Sequence, residues 1–349
     1  MKDIRISPYK EVQISHRIYH FASKNELLFG CCSEYGIVTI LDRDFNIRNV
    51  FNCAEIIKWN RGAIEVFGFH TFEDVFYIGG EEEYRIYHLN GKLLCSIPER
   101  VDAVHYSKER NLAWIVKRLS RIEKEVCLIV DNIEVDRIRI KDELVKSAVE
   151  FYTLPEINKV CMMFIAGENG MMTYFLSNVD NKIVCNHLEN LDDISSFEFS
   201  EDKKKFISVE PYGLDCITTY LYPSLIKIDD FELTEEQLEN ENKQLGFNCF
   251  FIDDKYAMAE IGENLYYVLN TESMELTGRF IVAGHEPKPV SYYWPRLTDD
   301  NDETTNLSYF HKTSKYLIAP YKNNPTDESD NSFTVLLLED IKKEMTNTL

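Results

Sequence analysis

Short alternating and apolar segments recur along the whole chain, and the clearest set lies between Val101 and Ile140. Alternation with a period of two, and short apolar runs bounded by polar turns, are typical of β-strands. The stretch therefore predicts four antiparallel strands in a row, with a charged loop after the second and a tight turn at Asp131-Asn132. The four segments are Val101–Tyr106, Asn111–Val116, Val126–Val130 and Glu134–Ile140.

An alternating strand, a polar turn and an apolar strand occur seven times, at intervals of roughly 45 residues. A second hairpin follows most of these pairs, and Asn90-Gly91 is a type I′ turn signal in one of them. The seven pairs are Arg17–Phe21 with Glu26–Cys31, Ile64–Phe69 with Val75–Ile78, Val101–Tyr106 with Asn111–Val116, Val149–Tyr152 with Lys159–Ile165, Ser196–Phe199 with Lys205–Glu210, Phe247–Phe251 with Lys255–Ile261, and Leu307–Phe310 with Lys315–Pro320.

Seven units of four strands predict an all-β fold, a seven-bladed β-propeller of four-stranded antiparallel blades in a single domain over residues 1–349. Blade counts of six or eight stay open. The seventh unit lacks a clear fourth strand, and Asp340–Asn347 predicts a short C-terminal helix instead. Because a ring of blades must close without a long free edge, we predict that Asp3–Ile14 supplies the missing strand.

One turn carries a family resemblance. Phe197–Lys205, with the sequence FEFSEDKKK, resembles the aromatic-x-Phe-Ser-x-Asp-Gly-Lys turn of tryptophan–aspartate-repeat (WD-repeat) and YVTN-type propellers. Val104–Ser107 is a weaker match. The chain lacks the Gly-His and Trp-Asp signatures of WD repeats, and we align Lys204 with the turn glycine. The resemblance therefore implies the architecture and no functional residue.

Charge and composition limit the classes of partner. The formal net charge is −21 and the sequence pI about 4.8, so phosphate-rich nucleic acids and anionic membrane surfaces are disfavoured. The N-terminus lacks the apolar region of a signal peptide, and no apolar run approaches the roughly 18 residues of a membrane span. Nine cysteines without a C-x-x-C pair predict reduced, buried thiols in a cytoplasmic protein.

Three long connections carry much of the negative charge: residues 229–246, 284–306 and 321–332. The up-and-down order of strands predicts that all three emerge on one face. Asp229–Gly246 holds seven acids and one lysine, Asp299–Glu303 holds four acids and Asp327–Asp330 three. A capping box predicts a surface helix over Glu235–Leu245. Lys117–Lys124 is predicted to be a basic loop on the same, otherwise acidic, face.

We predict a non-catalytic scaffold that docks a protein partner, of basic character, on this acidic face. Adjacent aromatics between prolines, followed by an arginine, are typical of an interface anchor. A specific version is an inhibitor or immunity-type protein that masks a basic toxin or nuclease. The oligomeric state is left open. The candidate partner-binding residues are Tyr292, Tyr293, Trp294, Arg296, Glu235, Glu236, Glu239, Asp299, Asp300 and Asp302.

Catalytic and cofactor motifs are not evident, and we predict no cofactor, metal ligand or catalytic residue. Gly167–Gly170 lacks the lysine and the strand–helix context of a phosphate loop. His16 and His20 stand on one predicted strand, where four residues span roughly 13 Å, so they cannot share a metal. The alternative is a hydrolase or lyase whose residues converge on the central channel from several blades, which a motif search does not detect.

Overall fold

Most of the predicted segments form strands of antiparallel sheets, but the first strand of the seventh unit is His311–Lys312 and not the predicted Leu307–Phe310. The computed structural model describes residues 1–53, 64–107, 111–166, 170–211, 216–234, 244–262, 264–289, 303–304, 307, 309–321 and 331–349. The chain divides into two compact units, Ile14–Asp192 and Met1–Gln13 with Asp193–Leu349. We call these the middle unit and the terminal unit.

The strands, numbered in chain order, are β1 (Lys2–Ile6), β2 (Lys10–Gln13), β3 (His20–Lys24), β4 (Leu28–Cys32), β5 (Ile37–Asp42), β6 (Ile47–Asn52), β7 (Val66–Phe69), β8 (Val75–Gly79), β9 (Tyr84–His88), β10 (Leu93–Ile97), β11 (Val101–Tyr106), β12 (Leu112–Ser120), β13 (Glu123–Val130), β14 (Ile133–Lys141), β15 (Ala148–Thr153), β16 (Lys159–Ile165), β17 (Met171–Val179), β18 (Lys182–His187), β19 (Glu198–Phe199), β20 (Lys205–Glu210), β21 (Cys216–Leu221), β22 (Lys227–Glu232), β23 (Leu245–Phe251), β24 (Tyr256–Ile261), β25 (Tyr266–Asn270), β26 (Glu275–Val282), β27 (Lys288–Pro289), β28 (Glu303–Thr304), β29 (His311–Lys312), β30 (Tyr316–Pro320) and β31 (Ser332–Leu337). The described residues also form 3-10 helices at Leu144–Lys146 and Glu189–Leu191 and an α-helix, α1, at Leu338–Thr348.

The middle unit contains four four-stranded antiparallel sheets, each built from consecutive strands: β3–β6, β7–β10, β11–β14 and β15–β18. Neighbouring sheets pack through their first strands, with β3 against β7, β7 against β11 and β11 against β15. All residues of the second strands β4 and β8 are buried. Burial on both faces explains why second strands appear as continuous apolar runs in the sequence.

In its described residues the terminal unit contains three sheets of four or five strands and a two-stranded sheet, and it confirms the predicted role of the N-terminus. β2 pairs antiparallel with β31 and so provides the fourth strand of the seventh sheet. The sequence did not predict that β1 pairs parallel with β26 as a fifth strand of the sixth sheet. The predicted C-terminal helix is confirmed as α1, which packs on β1 and β31 and buries Ile341 and Met345.

Several predicted boundaries were wrong. β22 continues to Glu232 and β23 begins at Leu245, so the connection between them is shorter than residues 229–246. Leu245 is therefore a strand residue, while the rest of the predicted helix up to residue 243 lies outside the described residues. β27 and β28 form a two-stranded ladder within the 284–306 connection. Residues 322–330 of the third connection also lie outside the described part of the chain.

The Asn90-Gly91 turn is not type I′, because that turn needs a left-handed backbone at both central residues and only Gly91 has one, with φ +87°. Gly91 N–H donates to the His88 carbonyl (2.8 Å), and the Asn90 side chain accepts the Lys92 N–H (3.0 Å). The hairpin therefore has a three-residue loop and an irregular register at Leu93. By contrast, Asp131-Asn132 forms the predicted tight turn, with φ +51° and +64°.

The turn at Phe197–Lys205 connects β19 to β20, and our alignment of Lys204 with the turn glycine was wrong. Lys203, not Lys204, has the left-handed backbone, with φ +62°. Ser200 Oγ donates to Asp202 (2.8 Å), and the Asp202 carboxylate accepts the Lys204 N–H (3.0 Å). These side-chain hydrogen bonds hold the turn without a glycine.

The nine cysteines are free thiols, as predicted. Seven are buried, Cys185 is half-buried and Cys95 is exposed. Burial alone raises the pKa of the Cys31 and Cys161 thiols. Of the helices that the structure describes, none has the length and hydropathy needed to span a bilayer.

Candidate functional site

The ten predicted partner-binding residues lie outside the described residues, and they stay predictions. Other acids of the predicted acidic face are described, and one group of them borders a cavity in the middle unit. Glu81, Glu82 and Glu83 lie in the connection between β8 and β9. They border an open cavity of about 610 Å³, which we call the Glu81 groove. Its lining residues are Glu81, Glu82, Glu83, Pro98, Glu99, Arg100, Lys117, Arg118, Leu119 and Glu125.

The prediction of a basic loop at Lys117–Lys124 was wrong. The segment belongs to two paired strands, and three of its residues line the groove. β12 continues to Ser120 and β13 starts at Glu123, so this segment is a strand hairpin with a turn at residues 121–122. In its register Lys117 faces Glu125 and Arg118 faces Lys124. Charged residues are tolerated in these strands because each one described below has a partner of opposite charge.

Asp102 is the buried centre of an ion-pair network beneath the groove. Its side chain is 3% exposed, and it lies where the β11–β12 register shifts between Val101 and Ala103. Irregularities of this kind turn a side chain out of the normal alternation. The carboxylate accepts hydrogen bonds from Arg100 Nε (3.0 Å) and Arg118 Nε (2.9 Å), and Lys124 Nζ lies 2.8 Å away.

Lys124 is fully buried, with a side-chain exposure of 0%. Its ammonium donates to the Ser147 carbonyl (2.6 Å) and lies 5.5 Å from the centre of the Phe164 ring. Burial lowers the pKa of Lys124, and the charge of Asp102 opposes that change. Burial alone would raise the pKa of Asp102, but Lys124 and Arg118 together hold it below its usual value. Asp102 is therefore ionised at neutral pH.

A second buried carboxylate binds two more cations. Glu125 on β13 accepts from Arg139 Nε (3.2 Å) and Arg137 Nη1 (3.3 Å), both on the neighbouring strand β14. Lys117 pairs with Glu99 at 2.7 Å, and this hydrogen-bonded pairing raises the pKa of Lys117 although burial opposes the change. The cations near the groove are thus bound to carboxylates of the protein itself.

Sequence reasoning missed this network because its members are far apart in the chain. One signal was present: Asp102 is a charged residue between Val101 and Ala103 in an apolar strand. A buried charge requires partners of opposite sign, and the nearest basic-rich segment contains Arg118 and Lys124. The pattern could have predicted that this segment folds against β11.

The two histidines considered as metal ligands have separate partners, so the structure gives them separate roles. His16 Nε2 lies 2.8 Å from Thr39 Oγ1, and His20 Nε2 lies 3.0 Å from the Ile64 carbonyl. Burial lowers the pKa of both rings. In the described parts of the chain, no three His, Cys, Asp or Glu side chains cluster closely enough to hold a metal ion.

In the terminal unit, His285 Nε2 lies 3.1 Å from Glu11 Oε1 and 3.0 Å from Tyr321 Oη. Tyr321 also donates to Glu11. These contacts attach strand β2 to the residue after β30 and to the segment after β26. The cluster of Glu11, His285 and Tyr321 therefore holds the N-terminal strand in place.

Comparison with known proteins identifies the fold. No protein-family model matches the chain, and no curated protein matches it by sequence. Among solved structures, the chain is similar to the Cps50 (Swd1) β-propeller domain of Myceliophteria thermophila, with a TM-score of 0.58 and 10% sequence identity. The match covers 93% of this chain and 99% of that chain. The described residues form seven sheets of four or five strands, with an N-terminal strand in the last, so the chain has the fold of a seven-bladed β-propeller.

Proposed function

We propose that this protein is a non-catalytic scaffold that binds a basic protein partner through an acidic surface. The observation that carries the proposal is the arrangement of charge at the Glu81 groove. Cations there are bound to Asp102, Glu125 and Glu99. The Glu81 side chain is 47% exposed, and Glu82 is exposed beside it. Exposed carboxylates favour a positively charged partner when the neighbouring cations are already bound to other carboxylates of the protein.

The distribution of charge in the sequence supports the same sign of partner. The net charge is −21. The segments Asp229–Gly246, Asp299–Glu303 and Asp327–Asp330 hold fourteen acids and one lysine. Such a field increases the association rate of a basic protein and repels an acidic one. The inhibitor or immunity-type version, in which the partner is a basic toxin or nuclease, is a special case of this proposal.

The fold is consistent with a binding role, because propellers present their loops on a rigid scaffold of sheets. We expect the aromatic segment Tyr292-Tyr293-Trp294, with Arg296 behind it, to be the anchor of the interface. Large aromatics and arginine contribute much of the binding energy at protein interfaces. The acids Glu235, Glu236, Glu239, Asp299, Asp300 and Asp302 would surround that anchor.

The test is affinity capture from native lysate of the source cells at low and at moderate salt. Wild type is compared with a variant in which Tyr292, Tyr293 and Trp294 are alanine. The matched control replaces Tyr19, Tyr35 and Phe72, three aromatics that are 46%, 66% and 52% exposed, with alanine. Captured proteins are identified by mass spectrometry, and circular dichroism verifies that each variant is folded.

We expect one specific basic protein to be retained by wild type and by the control, and lost from the Tyr292/Tyr293/Trp294 variant. Retention by all three proteins would place the interface elsewhere. A partner that is acidic, or no specific partner at either salt concentration, would contradict the proposed function.

A further inference from the structure

The floor of the Glu81 groove holds its cations in place. Arg100 and Arg118 both donate through Nε to Asp102, and Arg100 Nη2 also donates to Glu65 (2.8 Å). Their side chains are only 21% and 23% exposed. To neutralise the rim of the groove, either arginine would have to leave a buried carboxylate, which is costly.

The rim of the groove is acidic. Glu81 has Arg100 Nη1 at 3.9 Å, beyond hydrogen-bonding distance. Glu82 is exposed at the same rim. Of the five glutamates that line the groove, Glu83 is bound by Arg85, Glu99 by Lys117, and Glu125 by Arg137 and Arg139. The exposed carboxylates of Glu81 and Glu82 are therefore the part of the groove that favours a cation.

The groove also has an apolar part. Pro98 and Leu119 line it, and Leu119 is 43% exposed. A volume of about 610 Å³ is typical of ligand sites. A long basic side chain can place its methylene stem on apolar surface and its charged end at the carboxylates, whereas a bare metal ion would gain nothing from Pro98 and Leu119.

We infer that the Glu81 groove docks a lysine- or arginine-bearing segment of the protein partner, with its positive groups at Glu81 and Glu82. The inference rests on the proposed function and gives it a second contact site, separate from the aromatic anchor. Asp102 acts here as a positioning residue, because it holds Arg100 and Arg118 away from the rim.

The experiment measures binding of a fluorescent hexalysine peptide to the full chain by anisotropy, at 20 and 150 mM salt. Wild type is compared with E81Q/E82Q. The matched control is D131N/D180N, which also removes two exposed acids of the middle unit. Asp131 and Asp180 have φ +51° and +52°, a backbone that asparagine adopts readily. Carbodiimide crosslinking and mass spectrometry then identify the carboxylates that contact the peptide lysines.

We expect E81Q/E82Q to weaken peptide binding by roughly threefold to thirtyfold at 20 mM salt, since each exposed pair contributes modestly. We expect D131N/D180N to change it by less than about twofold, and crosslinks to concentrate on Glu81 and Glu82. Equal losses in both variants would reduce the effect to bulk charge and overturn the inference.

Crosslinks confined to the acids of residues 229–246, 299–303 and 327–330 would also overturn the inference, while the proposed function would stand. If wild type does not bind the peptide at 20 mM salt, both the inference and the proposed preference for a basic partner fail.

Discussion

The buried pair of Asp102 and Lys124 allows an asymmetric prediction, in which removing the acid costs more than removing the base. In Asp102→Leu, the Lys124 ammonium would keep the Ser147 carbonyl and the Phe164 ring as neighbours but would lose the carboxylate that balances its charge. An uncompensated buried charge costs about 3–5 kcal/mol. In Lys124→Met, the Asp102 carboxylate keeps Arg100 and Arg118. The losses are one ion pair and one hydrogen bond, about 1–2 kcal/mol.

The free energy of unfolding is measured in urea, because guanidinium chloride would screen the charges. Trp114 is 1% exposed on β12, the strand that carries Arg118. In a background in which Trp59 and Trp294 are replaced by phenylalanine, tryptophan fluorescence therefore reports on this sheet. Hydrogen exchange of β12 and β13 provides a local measurement that does not depend on two-state unfolding. The double variant Asp102→Leu/Lys124→Met should cost less than the sum of the single variants.

Acidity provides a second test of the same pair. The folded-state pKa of Asp102 is below its unfolded value of about 3.9. The stability that its ionised form contributes is therefore present above pH 4 and is lost as the pH falls through the folded pKa. The stability difference between wild type and Asp102→Leu should be constant from pH 5 to 7 and shrink below pH 4.

The comparison of the two single variants can refute the reasoning. It would do so if Lys124→Met lowered the free energy of unfolding as much as, or more than, Asp102→Leu.

Three further predictions follow from burial. The exposed Cys95 should react with a thiol reagent in the native protein, whereas Cys31 and Cys161 should react only in urea. The reason is that Cys31 and Cys161 are completely buried, and burial raises the pKa of each thiol. Fast labelling of all three cysteines in the native protein would contradict this prediction. Ile4→Ala should cost about 2–5 kcal/mol of unfolding free energy, since Ile4 is 0% exposed on β1, and an unchanged urea midpoint would mean that β1 is dispensable. Thr334→Val should be neutral or stabilising in the same measurement, because the buried Thr334 hydroxyl has no hydrogen-bond partner among the described residues; a loss above about 1 kcal/mol would contradict that assignment.

The repeat pattern predicted most of the fold, because each sheet is built from strands that are consecutive in the sequence. Period-two segments and apolar runs such as Lys159–Ile165 became strands with the predicted bounds. The fourth strand of the seventh sheet was predictable from a topological argument: that unit lacked a strand, and the N-terminus had one to spare. The parallel pairing of β1 with β26 was not predictable, because it adds a strand to a sheet that was already complete.

The candidate site was predicted much less well. Reasoning from charge treated Lys117–Lys124 as a solvated loop, since charged residues are mostly exposed. The structure buries Lys124 instead, because Asp102 and Ser147 satisfy its ammonium. That compensation depends on residues more than twenty positions away in the chain and on an irregular register at Asp102. Neither feature has a local signature in the sequence.

The most direct test of the central claim is the association rate constant of the captured partner with the purified protein, measured by stopped-flow between 20 and 300 mM salt. Electrostatic steering of a basic partner predicts that the rate constant falls at least about tenfold over this range. It also predicts that E81Q/E82Q lowers the rate constant at 20 mM salt, where screening is weakest. A rate constant that is independent of salt would contradict the claim that an acidic surface selects the partner.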